Sequence, residues 1–271
     1  MSRTEKIVEN SVTLCRKPAV YLVGRQTVDT GDVDAFLSDH GVDQWTTDTD
    51  SAGEKLTEIA GRMCYMSFAK PRPGGHAAYI KNIIDVGHGS VLEHAVFSFI
   101  ITGVSRSFTH ELVRHRAGFG FSQLSQRYVD ESQCEFVEPR AIAQDPELHK
   151  LFVQTVAAAQ AAYIQLTNTL CDQIEKEHPE LAKTDRRKMA RQAARSVLPN
   201  ATETKIFVTV NARALRHFLF LRGTIHAEDE IRTVAIDMWR IAMRECPHFF
   251  ADFELRKENG IDVLWTPHPK V

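Results

Sequence analysis

Apolar positions spaced three and four residues apart mark much of the second half of the chain. Pro146 to Glu177 carries them over its whole length, which predicts one long helix. The predicted buried stripe of this helix consists of Leu151, Val156, Tyr163, Leu166, Leu170 and Ile174. The same spacing predicts shorter helices over residues 54–65, 78–86, 105–116, 183–197, 212–221 and 227–245.

Three segments favour extended structure instead. Val96 to Thr102 (VFSFIIT) and Lys205 to Val210 (KIFVTV) are rich in β-branched and aromatic residues, which predicts strands. Ser122 to Val129 is predicted to be extended as well. Strands set among long helices predict an α+β (mixed α/β) protein, with a central sheet of antiparallel type packed with long helices.

Composition narrows the class of protein. A chain of 271 residues, 43% hydrophobic and 25% charged, fits one large domain or two closely packed domains. The formal net charge of −2 gives no overall basicity for DNA or anionic lipid. No run of about 18 uncharged apolar residues and no apolar signal core occur, so we expect a cytoplasmic protein.

Cysteine usage and two missing motifs exclude several kinds of site. The cysteines at 15, 64, 134, 171 and 246 contain no C-x-x-C pair, which predicts free thiols rather than disulfides or a zinc site. No G-x-G-x-x-G and no Walker loop are present. His110 and His115 are spaced i, i+5, about 140° apart on a helix, so they cannot chelate one ion. We expect no metal.

The segment from Arg114 to Tyr128, RHRAGFGFSQLSQRY, carries the most informative chemistry. Arg114, His115 and Arg116 are predicted to end a helix, where cations favour the dipole, so a basic helix cap is one interpretation. Binding of several ligand groups is the other. Ser125 and Arg127 would share one face of an extended chain and form a phosphate cradle, although a surface serine is the simpler reading of Ser125 alone.

Further basic and histidine clusters strengthen the case for phosphate ligands. Lys188, Arg191 and Arg195 share a helix face, which is either a solvated face or one drawn inward. A second cluster comprises Arg213, Arg216, His217 and Arg222, and Arg222 follows an apolar run that calls for an anionic or hydrogen-bonding partner. His88 and His94 flank Ser90 and Glu93, where a structural role is the alternative to a functional one. Together these residues suit a multi-phosphate ligand set.

RHR, then eight residues, then Ser-x-Arg resembles the diagnostic motif of the flavin-dependent thymidylate synthase family. The resemblance extends, in the family's order, to GRMCYMSF (61–68), DVGHGSVLEHAVFSF (85–99), ARSVLPNATET (194–204), VNARALRHFLFLR (210–222) and HAEDEI (226–231). The eight-residue spacer leaves the loop geometry around Gly118–Phe121 open. We expect one domain over residues 1–271 with its core at about 55–255; the role of residues 1–50 is open.

The resemblance implies an FAD-dependent methyltransferase of dTMP biosynthesis. The implied reaction methylates dUMP to dTMP, with 5,10-methylenetetrahydrofolate as carbon donor and NADPH reducing the bound FAD, and releases tetrahydrofolate. The implied assembly is a homotetramer with active sites between subunits. No nucleic acid and no membrane partner are expected.

Family roles carry over to matching positions. Arg222 corresponds to the catalytic arginine against the pyrimidine. The dUMP-binding positions are Glu111, Leu112, Val113, Arg114, Gln123, Leu124, Ser125, Gln126, Arg127, Lys188, Arg195 and Arg222. The flavin-binding positions are Ser90, Arg114, His115, Arg116, Gln123, Asn211, Ala212, Arg213 and His217. His88 and Tyr65 correspond to positions near the flavin and the folate.

Several alternatives stay open at this point. A fixed cation at Arg222 can replace the cysteine thiolate of other thymidylate synthases, because it stabilises negative charge on the pyrimidine. We favour binding over attack for Ser125, since no His-Asp pair to activate it is identifiable. The order of substrate binding, the rate-limiting step and the choice between NADPH and NADH are open. The rival from another class is a non-catalytic nucleotide- or RNA-binding protein that uses the same arginine clusters. Phe119, Phe121 and Tyr128 could then stack on bases.

Overall fold

The computed structural model describes residues 4–9, 11–42, 44–70 and 73–271. Among these the strands are β1 (Glu5–Glu9), β2 (Val12–Lys17), β3 (Ala19–Gly24), β4 (Val96–Ser105), β5 (Phe119–Gln123), β6 (Glu135–Val137), β7 (Glu203–Asn211), β8 (Glu254–Glu258) and β9 (Ile261–Trp265). The α-helices are α1 (Thr30–Asp39), α2 (Ala52–Met63), α3 (Gly75–Asp85), α4 (Arg106–Leu112), α5 (Arg140–Ala143), α6 (Pro146–Glu177), α7 (Lys183–Ala194), α8 (Ala212–Arg222), α9 (Asp229–Glu245) and α10 (Pro247–Phe250). Two 3-10 segments, Gly89–His94 and Arg195–Val197, complete them.

Most of the predicted elements are present. The predicted α+β class with antiparallel pairing is confirmed: β1 pairs with β2 and β8 with β9 antiparallel, whereas β2 pairs with β6 in parallel. The strand orders are β1-β2-β6, β3-β4-β7-β5 and β8-β9. The sequence did not predict β1, β2 or α1, because their short apolar runs lie among polar residues.

The chain forms two compact units. Unit 1 comprises residues 1–19, 101–114 and 122–207, and unit 2 comprises residues 20–100, 115–121 and 208–271. The expected single domain over 1–271 stays a prediction. No helix in the described part of the chain is long and apolar enough to span a membrane.

The core of unit 1 forms where α6 packs on the three-stranded sheet. Val12 and Leu14 of β2 and Phe136 of β6 lie against Val153 and Val156 of α6, all at most 1% exposed. Tyr163 of α6 is also fully buried. The predicted stripe is wrong at two positions, since Leu151 is 60% and Leu166 38% exposed. This helix buries only part of its apolar surface within unit 1.

The core of unit 2 is rich in phenylalanine and contains one buried ion pair. Arg216 of α8 is 1% exposed, and its guanidinium donates to both carboxylate oxygens of Asp252, at 2.6 and 2.8 Å. It also donates to the backbone oxygen of Phe249 and lies over the ring of Phe253. Burial alone would raise the pKa of Asp252, but hydrogen bonds and charge from Arg216 hold it below its usual range. Arg216 is therefore a structural member of the basic cluster on α8.

Asp252→Ala should lower the free energy of unfolding by about 3–5 kcal/mol, because it leaves the buried guanidinium of Arg216 without its counter-charge. Urea denaturation followed by circular dichroism measures this. The matched control is Asp262→Ala, which removes the exposed partner of Lys257 and should leave the urea midpoint nearly unchanged. Equal midpoint shifts in the two variants would contradict the structural role of the Arg216–Asp252 pair.

Candidate functional site

Ser125 and Arg127 lie in a tight turn of unit 1. The backbone oxygen of Ser125 accepts from the N–H groups of Tyr128 and Val129, at 3.1 and 3.0 Å. Its hydroxyl oxygen accepts from the N–H of Arg127 at 3.4 Å. The predicted extended run over residues 122–129 is therefore wrong beyond Gln123, because the serine hydroxyl binds its own backbone in place of a strand partner. We call residues 125–128 the phosphate-candidate turn.

Neighbouring elements hold the start of this turn. The N–H of Leu124 donates to the backbone oxygen of Lys205 at 2.9 Å, and Arg106 of α4 donates to the oxygen of Leu124 at 3.0 Å. The side-chain amide of Gln123 donates to the hydroxyls of Thr109 and Thr204, at 3.1 and 3.3 Å. Residues 123 and 124, which precede the turn, are thus bonded to α4 and β7.

Several donors around the turn are buried without a protein acceptor. Arg127 Nε, Gln126 Nε2, Arg106 Nε and Arg191 Nε are inaccessible to solvent and have no hydrogen-bond partner among the residues that the structure describes. Buried polar groups are almost always satisfied, so a group of this kind points to an absent ligand. Donors of the guanidinium type fit the oxygens of an anion.

Residues of α7 and its 3-10 extension add positive charge beside the turn. Lys188 Nζ lies 5.0 Å from the centre of the Tyr128 ring, and the Arg127 guanidinium lies 5.9 Å from the same ring. A hydrogen bond and charge from Lys188 lower the pKa of the Tyr128 phenol. Lys188, Arg191 and Arg195 are each half-buried, which favours the inward interpretation over a solvated face. Asp130 neutralises only Arg191, at 2.8 Å.

Glu131 is a candidate that the sequence did not reveal. It is 5% exposed, and one carboxylate oxygen has no hydrogen-bond partner among the described residues. Burial raises the pKa of Glu131 to about 7, although the charge of Arg106 opposes this. Burial also lowers the pKa of Arg106. A lone Glu in a polar loop (DES) gives no sequence signal, because its burial depends on tertiary packing.

The RHR motif does not lie on a helix. α4 begins at the cap of Ser105, whose hydroxyl accepts from the N–H of Phe108, and ends at Leu112. The expected helix over 105–116 therefore ends four residues too late, because the apolar stripe that packs it stops at Leu112. Arg114 is exposed in the following turn.

The predicted dUMP contacts at the end of α4 differ in exposure. Leu112 is fully buried, so its side chain cannot reach a ligand, whereas Val113 is 38% exposed. Glu111 is half-buried. These three contacts stay predictions, and a contact at Leu112 would have to use the backbone.

In unit 2 the structure brings His115 and Arg222 together. Arg222 Nε donates to His115 Nε2 at 3.0 Å, so the imidazole accepts and carries its proton on Nδ1. The ring of His115 packs edge-on against Phe218, with centres 5.1 Å apart. Burial, and then the charges of Arg222 and His217, lower the pKa of His115 to about 4. The pair therefore consists of a neutral imidazole and a guanidinium.

Other predicted flavin contacts gather at the start of α8. Asn211 caps α8 by accepting from the N–H of Ala214 at 2.8 Å, and its own N–H donates to the oxygen of Gly118 at 3.1 Å. Gly118 has φ +72, and a Cβ there would stand 2.7 Å from Asn211 Nδ2. Ala212 is fully buried and His217 is exposed. Only glycine fits the turn that follows RHR.

The remaining predicted contacts of unit 2 are exposed. His88 and Ser90 lie at the start of the 3-10 segment Gly89–His94, and Tyr65 is 76% exposed after α2. Glu93 of the same 3-10 segment pairs with Arg213 of α8 at 2.6 Å. Arg116 is exposed as well. Arg213 is thus paired with a carboxylate. The side chains of Arg116, His88, Ser90 and Tyr65 are exposed and can donate hydrogen bonds to a ligand.

The three buried cysteines are unsuited to nucleophilic attack. All five are free, as predicted. The pKa of the thiol is raised to about 12 in both Cys134 and Cys246, mainly because the thiol is buried. It raises the pKa of Cys15 as well. A protonated thiol is a poor nucleophile.

Comparison with known proteins identifies a family. The sequence model of the family described as thymidylate synthase complementing protein matches residues 46–248. The flavin-dependent thymidylate synthase of Mycolicibacterium gilvum (strain PYR-GCK) is 51% identical over 227 residues, 83% of this chain and 89% of that protein. The enzyme of the same name from Mycolicibacterium vanbaalenii is 52% identical over 226 residues, 82% of this chain and 88% of that protein.

A solved structure has a similar fold. It is the UMP/dUMP methylase PolB from Streptomyces cacaoi, crystallised with 5-Br UMP, with a TM-score of 0.61 and 22% sequence identity. The match covers 89% of this chain and 95% of that one. At this identity the likeness concerns the fold.

Arg222→Met should raise the pKa of His115 from about 4 toward its ordinary value, because it removes a neighbouring cation while keeping the ring covered. Imidazole nitrogen shifts followed by NMR over a pH titration measure this. Arg240→Met, which changes an exposed arginine of α9, should leave His115 unaffected. A wild-type His115 that titrates near pH 6.5 would refute the neutral imidazole.

Proposed function

This chain belongs to the family of flavin-dependent thymidylate synthases, and we propose that it methylates dUMP to dTMP. In this proposal FAD is the cofactor, 5,10-methylenetetrahydrofolate donates the carbon, and NADPH supplies the hydride. The curated relatives are named for this flavin-dependent synthesis. Tetrahydrofolate is the second product. The enzyme is thus a methyltransferase of dTMP biosynthesis.

The buried, unpartnered donors beside the phosphate-candidate turn carry this proposal. Arg127 Nε and Gln126 Nε2 require acceptors that no described residue supplies. The phosphate of dUMP has oxygens of the right charge and geometry, and Lys188 and Arg195 add half-buried positive charge. Ser125 binds in this proposal and does not attack, because the contact shown for its hydroxyl is with the backbone N–H of Arg127 and not with a general base. Glu111, Leu112, Val113, Arg114, Gln123 and Leu124 complete the proposed dUMP contacts.

Arg222 is the proposed catalytic residue. Its guanidinium stabilises negative charge that develops on the pyrimidine, which is the work of a preorganised electrostatic group. His115 accepts a hydrogen bond from Arg222 Nε and fixes the direction of the guanidinium. The raised pKa values of the buried thiols support a route without a cysteine nucleophile.

The donors at the surface of unit 2 fit the diphosphate and ring edges of FAD. Arg116, His217 and Ser90 are exposed, and each can donate to a phosphate or carbonyl oxygen. Arg114, His115, Gln123, Asn211, Ala212 and Arg213 complete the proposed flavin contacts. When bound, FAD supplies the redox chemistry, while the protein supplies position and electrostatics. His88 and Tyr65 are proposed near the flavin and the folate.

A homotetramer with active sites between subunits is part of the proposal. Leu148, Leu151, Ile164 and Leu166 of α6 are each at least 37% exposed, although this helix is otherwise the main support of unit 1. Apolar helix surface of this kind is typical of an interface between subunits. Analytical ultracentrifugation tests the assembly.

The RNA-binding alternative has weaker support. Phe119 and Phe121 stack on each other, and Phe119 also packs against His115, which leaves less ring surface for bases. Of the three candidate aromatics, Tyr128 is the exposed one. Gel-shift assays with single-stranded RNA test this alternative, and tight binding to RNA without flavin retention would favour it.

Formation of dTMP from dUMP, with FAD, methylenetetrahydrofolate and NADPH supplied, tests the proposed reaction directly. Arg222→Ala should lower turnover about 10²–10³-fold, because one preorganised charge is lost. The visible spectrum of the variant should still show bound flavin. Arg240→Ala is the control and should keep wild-type turnover. Near-normal turnover in Arg222→Ala would remove Arg222 from the catalytic role.

Arg127→Ala should raise the dissociation constant for dUMP about tenfold to a hundredfold, because charge-assisted hydrogen bonds to the phosphate are lost. Titration of the flavin spectrum with dUMP measures it. Arg140→Ala removes an exposed arginine of the same unit and serves as the control. An unchanged dissociation constant in Arg127→Ala would contradict the assignment of the turn to phosphate.

A further inference from the structure

A buried cluster of histidines and carboxylates lies in unit 2, on residues to which the proposed synthase reaction assigns no role. Glu54 lies on α2, His76 on α3 and His248 on α10, and each offers one ligand atom. These three atoms all lie within 4.8 Å of one another. Glu54 is inaccessible to solvent and His76 is 2% exposed.

The three ligand atoms lie close enough together to bind one metal ion. Glu54 Oε2 is 2.8 Å from His248 Nδ1 and 3.3 Å from His76 Nε2. Neighbouring ligands of a tetrahedral zinc ion, bonded at 2.0–2.2 Å, are about 3.3 Å apart. Two imidazole nitrogens and one carboxylate oxygen are a donor set that zinc accepts, with a fourth position left for water.

The nitrogen that would face the metal lies at ion-pair distance from Glu54 but makes no hydrogen bond. His76 Nε2 is buried and makes no hydrogen bond to any residue that the structure describes, although the carboxylate of Glu54 is close. An unsatisfied buried nitrogen aimed at a carboxylate and a second imidazole is the observation that points to a cation. Without it, the cluster would be an ordinary hydrogen-bonded network.

The second ring nitrogen of His76, Nδ1, is hydrogen-bonded to a carboxylate, as in many zinc sites. His76 Nδ1 lies 2.6 Å from Glu58 Oε2, and since a carboxylate can only accept, Nδ1 carries the proton. Glu58 is fixed in turn by Thr47 at 2.7 Å and by Arg62 at 2.7 Å. A carboxylate that orients a ligating histidine is the usual second layer of a zinc site.

Charge and access also suit a divalent cation. The backbone N–H of His76 donates to a carboxylate oxygen of Asp48 at 2.7 Å. Three carboxylates, of Asp48, Glu54 and Glu58, therefore lie around this histidine. Arg62 pairs with one of them, Glu58. A cavity of about 580 Å³ in unit 2 is lined by Asp48, Thr49, Ser51, Glu54, Cys246 and His248. It gives an ion a route to the cluster from solvent.

We propose that Glu54, His76 and His248 bind one Zn²⁺ ion and so join α2, α3 and α10. In this structure His248 Nδ1 donates a hydrogen bond to Glu54. On zinc binding the proton of His248 moves from Nδ1 to Nε2, and the ion binds the lone pairs of His76 Nε2 and His248 Nδ1. A proton is the competitor: although burial opposes it, Glu54 and Glu58 raise the pKa of His76 to about 9. Zinc binding should stabilise the fold, because the ion joins three segments that are separate in sequence.

Zinc titration of the chelator-treated full-length protein tests this site. Isothermal titration calorimetry should give one equivalent of Zn²⁺ per chain, and Zn²⁺ should raise the thermal unfolding midpoint. Co²⁺ added in place of Zn²⁺ should give the visible absorption of a tetrahedral site. None of these measurements depends on synthase activity, so a failure of the proposed reaction would leave them unaffected.

Variants distinguish this site from adventitious binding. His248→Ala should abolish stoichiometric binding and the thermal shift, and the fold should persist because the side chain is 36% exposed. Glu58→Gln, which loosens the orientation of His76, should weaken binding about 10- to 100-fold. His178→Ala removes an exposed histidine of unit 1 and should change nothing. Failure of the wild-type protein to bind Zn²⁺, or full binding by His248→Ala, would overturn the proposal.

Discussion

The candidate site of unit 1 depends on one constraint: guanidinium and amide donors are held where the described residues offer no acceptor. Arg127 Nε and Gln126 Nε2 are buried and unsatisfied, and such groups cost stability until a ligand meets them. The surrounding contacts serve this arrangement. Gln123 binds the hydroxyls of Thr109 and Thr204, and Arg106 holds the oxygen of Leu124, so the turn is fixed before any ligand arrives.

Helix α8 shows how one segment divides its cations between stability and chemistry. Arg216 is buried and pairs with both carboxylate oxygens of Asp252. Arg222 Nε donates to the neutral imidazole of His115, and this contact orients the guanidinium. In the proposed reaction this orientation directs the charge of Arg222 toward the pyrimidine.

The carboxylates of the chain fall into similarly distinct environments. Glu131 is buried without a strong counter-charge and has a raised pKa, whereas Arg216 lowers the pKa of Asp252. Glu54 and Glu58 lie beside a histidine that binds one of them well and faces the other without a hydrogen bond. These unequal contacts fit the proposed cation site, in which Glu54 binds the ion and Glu58 orients His76.

The sequence by itself determined the class of fold, most helices and the family. The range of α6 matched because its apolar spacing runs without interruption, and the segments around RHR and Ser-x-Arg carry their signal in residue identity and spacing. The tertiary structure decided how those motifs are presented. It ended α4 at Leu112, turned the chain at Ser125, and buried Arg216 while leaving Leu151 exposed.

Contacts between distant residues explain these differences. Spacing along a chain reports which face of an element is apolar, but not which neighbour covers that face. Glu131 and His76 gave no signal for the same reason: their burial and their partners come from segments far away in the sequence. The local sequence pattern therefore determined the helices and strands and the family. Tertiary packing decided which charged side chains have partners within the protein and which are left to bind a ligand.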